Sequence, residues 1–165
     1  ILIAVTDLAA FRALLMPLLF SGAAAIVYAG AFTLWALQAD SGKVEETQGS
    51  AFSLNTALIF AGILAGVLLL AAALQDWFGE AGVIVAAGAA GFADTHAPAI
   101  SVASLVADGR LTPAAAVIPV LAAFSTNTVT KMVFAFTAGG PRFALYVAPG
   151  QLLMLAAAWA AMLVA

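Results

Sequence analysis

Cysteine is missing from all 165 residues, which removes disulfide frameworks, thiolate zinc sites and thiol nucleophiles. Charge is almost as scarce. Five Lys and Arg against eight Asp and Glu leave a formal charge of -3, and only 8% of residues are charged, where a soluble domain has about 25%. So few charges cannot cover a core of this size in water, so a soluble fold is excluded. Five basic residues make no nucleic-acid surface, so no nucleic acid is expected as partner. What is abundant is apolar: 65% of residues are hydrophobic and the mean hydropathy is +1.16. The partner these numbers demand is a lipid bilayer. The opening Ile1-Leu2-Ile3-Ala4 has no initiator Met, and Asp7 and Arg12 interrupt what would be a signal-peptide core. It reads as the interior of a helix whose start lies upstream.

A crossing helix needs about 20 apolar residues for a ~30 Å hydrocarbon core. Polar and Gly/Pro punctuation divides the chain into about six such segments. The first covers residues 1–19 and is separated by Ser21-Gly22 from a second ending near Leu37. The polar stretch that follows holds Asp40, Lys43, Glu45 and Glu46. The third segment covers 54–74, the fourth 81–106, the fifth starts at Thr112-Pro113, and the sixth follows Gly139-Gly140-Pro141-Arg142. No segment alternates as a membrane β-strand would. The expected class is therefore all-α, a polytopic transmembrane helical bundle. Ala- and Gly-rich faces on the third and sixth helices suit close packing and a homodimer. Lys43 and Arg110 against Arg142 lean the Gln38–Ser53 and Val106–Thr112 loops toward the cytoplasm.

An offset of 119 residues sets Ala4-Val5-Thr6 on Ala123-Phe124-Ser125, Arg12 on Lys131, and Ser21-Gly22 on Gly140-Pro141. This predicts a parallel internal repeat. Residues 1–38 would be the last two helices of a first unit, 39–53 a polar loop, and 54–165 a four-helix second unit. Helices of the first unit that precede Ile1 would then be partners missing from the chain.

Ionisable side chains in spans cost about 2.5–3.5 kcal/mol each on insertion scales, so each is a candidate. They are Asp7 and Arg12 in the first helix, Asp94 and His96 in the fourth, and Lys131 in the fifth. Gly91 and Pro98 bracket Asp94-Thr95-His96-Ala97, and Pro removes a backbone donor. The fourth helix is therefore expected to break between Asp94 and Pro98, and unpaired backbone at that depth belongs beside a cavity. Ser125-Thr126-Asn127-Thr128-Val129-Thr130-Lys131 supplies the opposite wall, with Asn127 and Lys131 on one face. The candidate substrate or ion-binding residues are Asp94, His96, Asn127, Lys131, Ser125 and Thr128, with Asp7 and Arg12 as their counterparts in the first unit.

Three chemistries suit this set. Asp94 and His96 could ligate a divalent metal ion, or relay protons, while Lys131 and Arg12 could hold an anion. Enzyme signatures such as His-Glu-x-x-His and Gly-x-Ser-x-Gly are absent, and Gly91-Phe92-Ala93-Asp94 lacks the second Gly of an intramembrane aspartyl protease motif. The expectation is a transporter or channel for ions or small solutes and no enzyme. The alternative is a scaffold or regulatory subunit in which the same residues form a structural polar network.

Residues 55–165 resemble the transmembrane domain of unknown function found C-terminal to MgtC/SapB-type bacterial membrane domains. The resemblance rests on Gln75-Asp76-Trp77-Phe78-Gly79-Glu80-Ala81-Gly82, on Gly91-Phe92-Ala93-Asp94-Thr95-His96-Ala97 followed by Ser101, and on residues 125–131. Residues 1–38 match it more loosely. His96 stands where the family pattern has a second acid, and Thr126 is an extra polar residue. The resemblance implies a multi-pass protein of the bacterial inner membrane and a longer parent chain.

Overall fold

A computed structural model describes residues 2–38 and 81–164, together with Leu58, Gly62 and Gly79. The expected third helix and most of the polar loop lie outside the described residues. Among those described, every regular element is helical: α1 (Leu2–Thr6), α2 (Leu8–Gln38), α3 (Ala81–Gly91), α4 (His96–Ala107), α5 (Val117–Thr137) and α6 (Gly140–Ala160), closed by a short 3-10 turn at Ala161–Leu163. Three are long and apolar enough to cross a membrane, namely α2, α5 and the stretch Gly140–Leu163, which marks the chain as a membrane protein.

Proline placement explains several boundaries. Pro98, Pro119 and Pro141 sit in the first turns of α4, α5 and α6, where their missing N–H has no helical partner to lose. Pro17 and Pro149 lie inside α2 and α6 and remove one ladder bond each.

The expected break at Ser21-Gly22 is not there, because α2 runs as one helix of 31 residues through it. Small residues in lipid serve close packing and do not by themselves end a helix. The interruption falls at Asp7 instead. Its amide still donates to the Ile3 carbonyl (2.9 Å) and its carbonyl accepts from Phe11 (3.1 Å), so the ladder bridges the gap. The Ala10 amide turns to the Asp7 carboxylate at 2.6 Å, so a side chain caps the start of α2. The offset of 119 therefore lays a continuous stretch of α2 over the α5–α6 turn.

The fourth segment breaks where the sequence indicates, and the break is a reversal. Thr126 donates to the Gly88 carbonyl (2.7 Å) and Thr130 to the Phe92 carbonyl (3.1 Å), both across 38 positions. Equal register in the same sense means that α3 runs parallel to α5. α4 runs back toward the start of α5, and its Val102, Ala103 and Val106 share one core with Leu111, Ala116 and Val120. Ala87 and Ala99 belong to that core too. α3 and α4 thus form a helical hairpin lying on the N-terminal two thirds of α5, with residues 92–95 as its tip. α6 packs on α2 and α5, and α1 packs on α4.

Candidate functional site

The tip is shaped by two local devices. Asp94 accepts the Ala97 amide on Oδ2 at 2.9 Å, capping the first turn of α4 with its own carboxylate. Gly91 brings the end of α3 against α5, where a Cβ would meet the Thr126 hydroxyl and the Ala123 backbone. Only Gly permits that approach. It puts the Gly88 and Phe92 carbonyls, freed at the end of α3, within reach of the Thr126 and Thr130 hydroxyls.

Between the tip, α2 and α5 lies a cavity of about 520 Å³. Asp94, Thr95 and His96 line it from the tip, Asn127 and Lys131 from α5, and Pro17 and Ser21 from α2. The remaining walls are aliphatic or aromatic. Asn127 is 8% exposed, and its amide has no hydrogen-bond partner among the described residues. The Thr95 hydroxyl is likewise buried and unpartnered. Asp94 and Lys131 share the cavity without forming an ion pair. His96 also faces a second, apolar groove of about 360 Å³ against α1 and α2, and so stands between the two spaces.

The structure brings Asp94, His96, Asn127 and Lys131 together, and places the other four candidates elsewhere. Ser125 donates to the Leu121 carbonyl (2.7 Å) and accepts from Trp159 Nε1 (3.1 Å), so it faces α6. Thr128, 1% exposed, lies three residues further along that face, and its hydroxyl is buried and unpartnered. Asp7 is engaged at the break between α1 and α2, and Arg12 is exposed on α2. Neither lines the cavity. Among the described residues no group of three or more His, Cys, Asp or Glu comes together to hold a metal. Asp94 and His96 would need the Asn127 amide, hydroxyls or water to complete a coordination shell.

Three contributors escape a sequence reading. Thr126 and Thr130 bond back to their own helix, as hydroxyls in lipid commonly do, but each also reaches across to the hairpin. Their four-residue spacing opposite Gly88 and Phe92 is the available signal. Ser21, taken as a turn residue, is a wall of the cavity.

No curated protein and no solved structure matches the chain. The model of a family described as a domain of unknown function (DUF4010) matches residues 1–139. It takes in α1 to α5, hence the whole hairpin, its tip and the α5 wall, and leaves α6 outside. The chain belongs to the DUF4010 family.

Proposed function

We propose that the protein is a transporter or channel for an ion or small solute, with its site at the tip of the α3–α4 hairpin. The observation that carries this reading is the convergence of Asp94, His96, Lys131 and the unpartnered Asn127 amide on one cavity about 520 Å³ in volume. α4, at 12 residues and 1.5 Å per residue, is about 18 Å long, about half a ~30 Å hydrocarbon core. On this reading the hairpin enters and leaves the bilayer on one side and carries its tip to mid-depth, beside Asn127 and Thr130. Irregular backbone at that depth is tolerated where it lines a cavity, and paired half-helices build solute sites in transporters. No covalent chemistry is assigned to these residues.

The cargo within this reading is a divalent cation, a proton-coupled ion or a small solute. A setting in the bacterial inner membrane, attachment to an MgtC/SapB-type domain and pairing with a second copy through α6 belong to the same proposal. The test is flux in proteoliposomes with divalent-cation and proton dyes, comparing wild type with Asp94→Asn. Asn caps a helix about as well as Asp, so the fold survives while the charge is lost. Flux abolished in folded Asp94→Asn protein supports the proposal.

One observation favours a second reading. Asp94 and Asp7 each accept an amide three residues on, a purely structural use of a membrane carboxylate. If every ion tested stays put in wild type, and Asp94→Asn only lowers thermal stability, the protein is a scaffold.

A further inference from the structure

We infer that the hairpin-tip cavity takes a zwitterionic small solute, one that carries an ammonium and a carboxylate, as a free amino acid does. The inference rests on the proposed transport function and narrows its cargo. Asp94 and Lys131 line the same cavity from opposite elements, one on the tip and one on α5, and no ion pair joins them. Two opposite charges that face one largely apolar space without pairing with each other are costly at membrane depth. A lone cation seated at Asp94 would share the cavity with the Lys131 ammonium, and a lone anion at Lys131 would share it with the Asp94 carboxylate. A ligand carrying both signs answers both charges at once, and the site keeps its overall neutrality.

The rest of the site fits the same class. Asn127, more than nine tenths buried and unpartnered, offers an amide that both donates and accepts. Its donors sit one helical turn from Lys131, where they would add to the binding of a carboxylate. The opposite pole would use the Asp94 carboxylate, of which Oδ2 also receives the Ala97 amide. The volume agrees as well. About 520 Å³ is many times the ~30 Å³ share of one water molecule, far more than a bare ion fills. The apolar walls formed by Leu14, Val120 and Phe124 suit a small hydrocarbon portion.

The experiment measures uptake of radiolabelled glycine and alanine into proteoliposomes of the intact protein, with methylamine, acetate and magnesium chloride each added as competitor. The expected result is saturable uptake of at least one zwitterion, with each single-charge competitor at least about tenfold weaker, since either alone leaves one charge unanswered. Lys131→Met and Asp94→Asn should each reduce uptake at least about tenfold, while Lys131→Arg should restore part of it, which separates loss of charge from loss of fold. Uptake of magnesium or protons that depends on Asp94, with both amino acids inert in uptake and in thermal-shift binding, overturns this inference and leaves the transport reading standing. No flux and no thermal stabilisation by any of the five probes overturns both.

Discussion

The Thr130 hydroxyl donates to the Phe92 carbonyl at 3.1 Å, joining the middle of α5 to the residue at which the hairpin begins to turn. One turn earlier Thr126 makes the equivalent bond to Gly88 at 2.7 Å. Both carbonyls lie at or near the end of α3, where the helical ladder runs out of donors. The two hydroxyls therefore hold the tip in place. Thr130→Val, which keeps the shape and deletes the donor, should lower stability by about 1 kcal/mol, the usual scale for interhelical hydrogen bonds in membranes. Thr130→Ser should stay close to wild type. Thermal unfolding in detergent distinguishes the two.

Two glycines of α3 should respond in opposite ways. At Gly91 an added Cβ would lie 2.6 Å from the Ala123 Cα and closer still to two oxygens, so backbone would have to move. Gly91→Ala should cost about 1–3 kcal/mol, as overpacking does, and displace the tip. At Gly88 the nearest atom is the Ala122 Cβ at 3.7 Å, an ordinary contact. Gly88→Ala should be neutral or stabilising by up to about 1 kcal/mol, from the higher helix propensity of Ala. Equal losses in a melting experiment would contradict the close approach of α3 to α5.

Asp7 and Asp94 make the same local bond and differ in where they sit. Each accepts the amide three residues on, at 2.6 and 2.9 Å, but only Asp94 lines the cavity. Asp7→Asn and Asp94→Asn should therefore lose similar, small amounts of stability, while Asp94→Asn alone abolishes flux. Paired melting and flux measurements on the two variants check this, and a flux loss of equal size in both would count against the tip as the site.

At the far end of α2, the Tyr28 hydroxyl donates to the Tyr146 carbonyl at 2.6 Å, and its ring lies against Gly150 of α6. Phe32, Trp35 and Tyr146 complete an aromatic group there, with ring centroids 5.6–5.7 Å apart. Such rings favour the membrane–water interface. Tyr28→Phe should cost about 1 kcal/mol, and Gly150→Val more, with both weakening α2–α6 association in a thermal melt.

How much of this was legible in the residues can be judged at particular positions. Hydropathy identifies long apolar helices because a ~30 Å core demands them. Gly91 and Pro98 mark a break at Asp94 because one permits close approach and the other withholds a donor. Direction is what the pattern does not encode. A kinked crossing helix and a helical hairpin share the same composition, and only the Thr126–Gly88 and Thr130–Phe92 register separates them. Ser21-Gly22 misled for the related reason that small residues both end helices in water and pack helices in lipid. Within the candidate site, i and i+4 spacing found Asn127 and Lys131 together. Ser125 and Thr128 lie about a third of a turn away, Ser125 meeting Trp159 of α6 and Thr128 buried without a hydroxyl partner.

The most direct test of the account is the sidedness of the hairpin's two ends. The absence of cysteine gives a clean background for single-cysteine labelling. Ala81→Cys in α3, Asp108→Cys just beyond α4 and Ala138→Cys in the α5–α6 turn would each be exposed to a membrane-impermeant maleimide in sealed, oriented vesicles. The hairpin predicts that positions 81 and 108 label from the same side and position 138 from the other. Labelling of 81 and 108 from opposite sides would make the segment a through-going broken helix and contradict the hairpin on which the site is built.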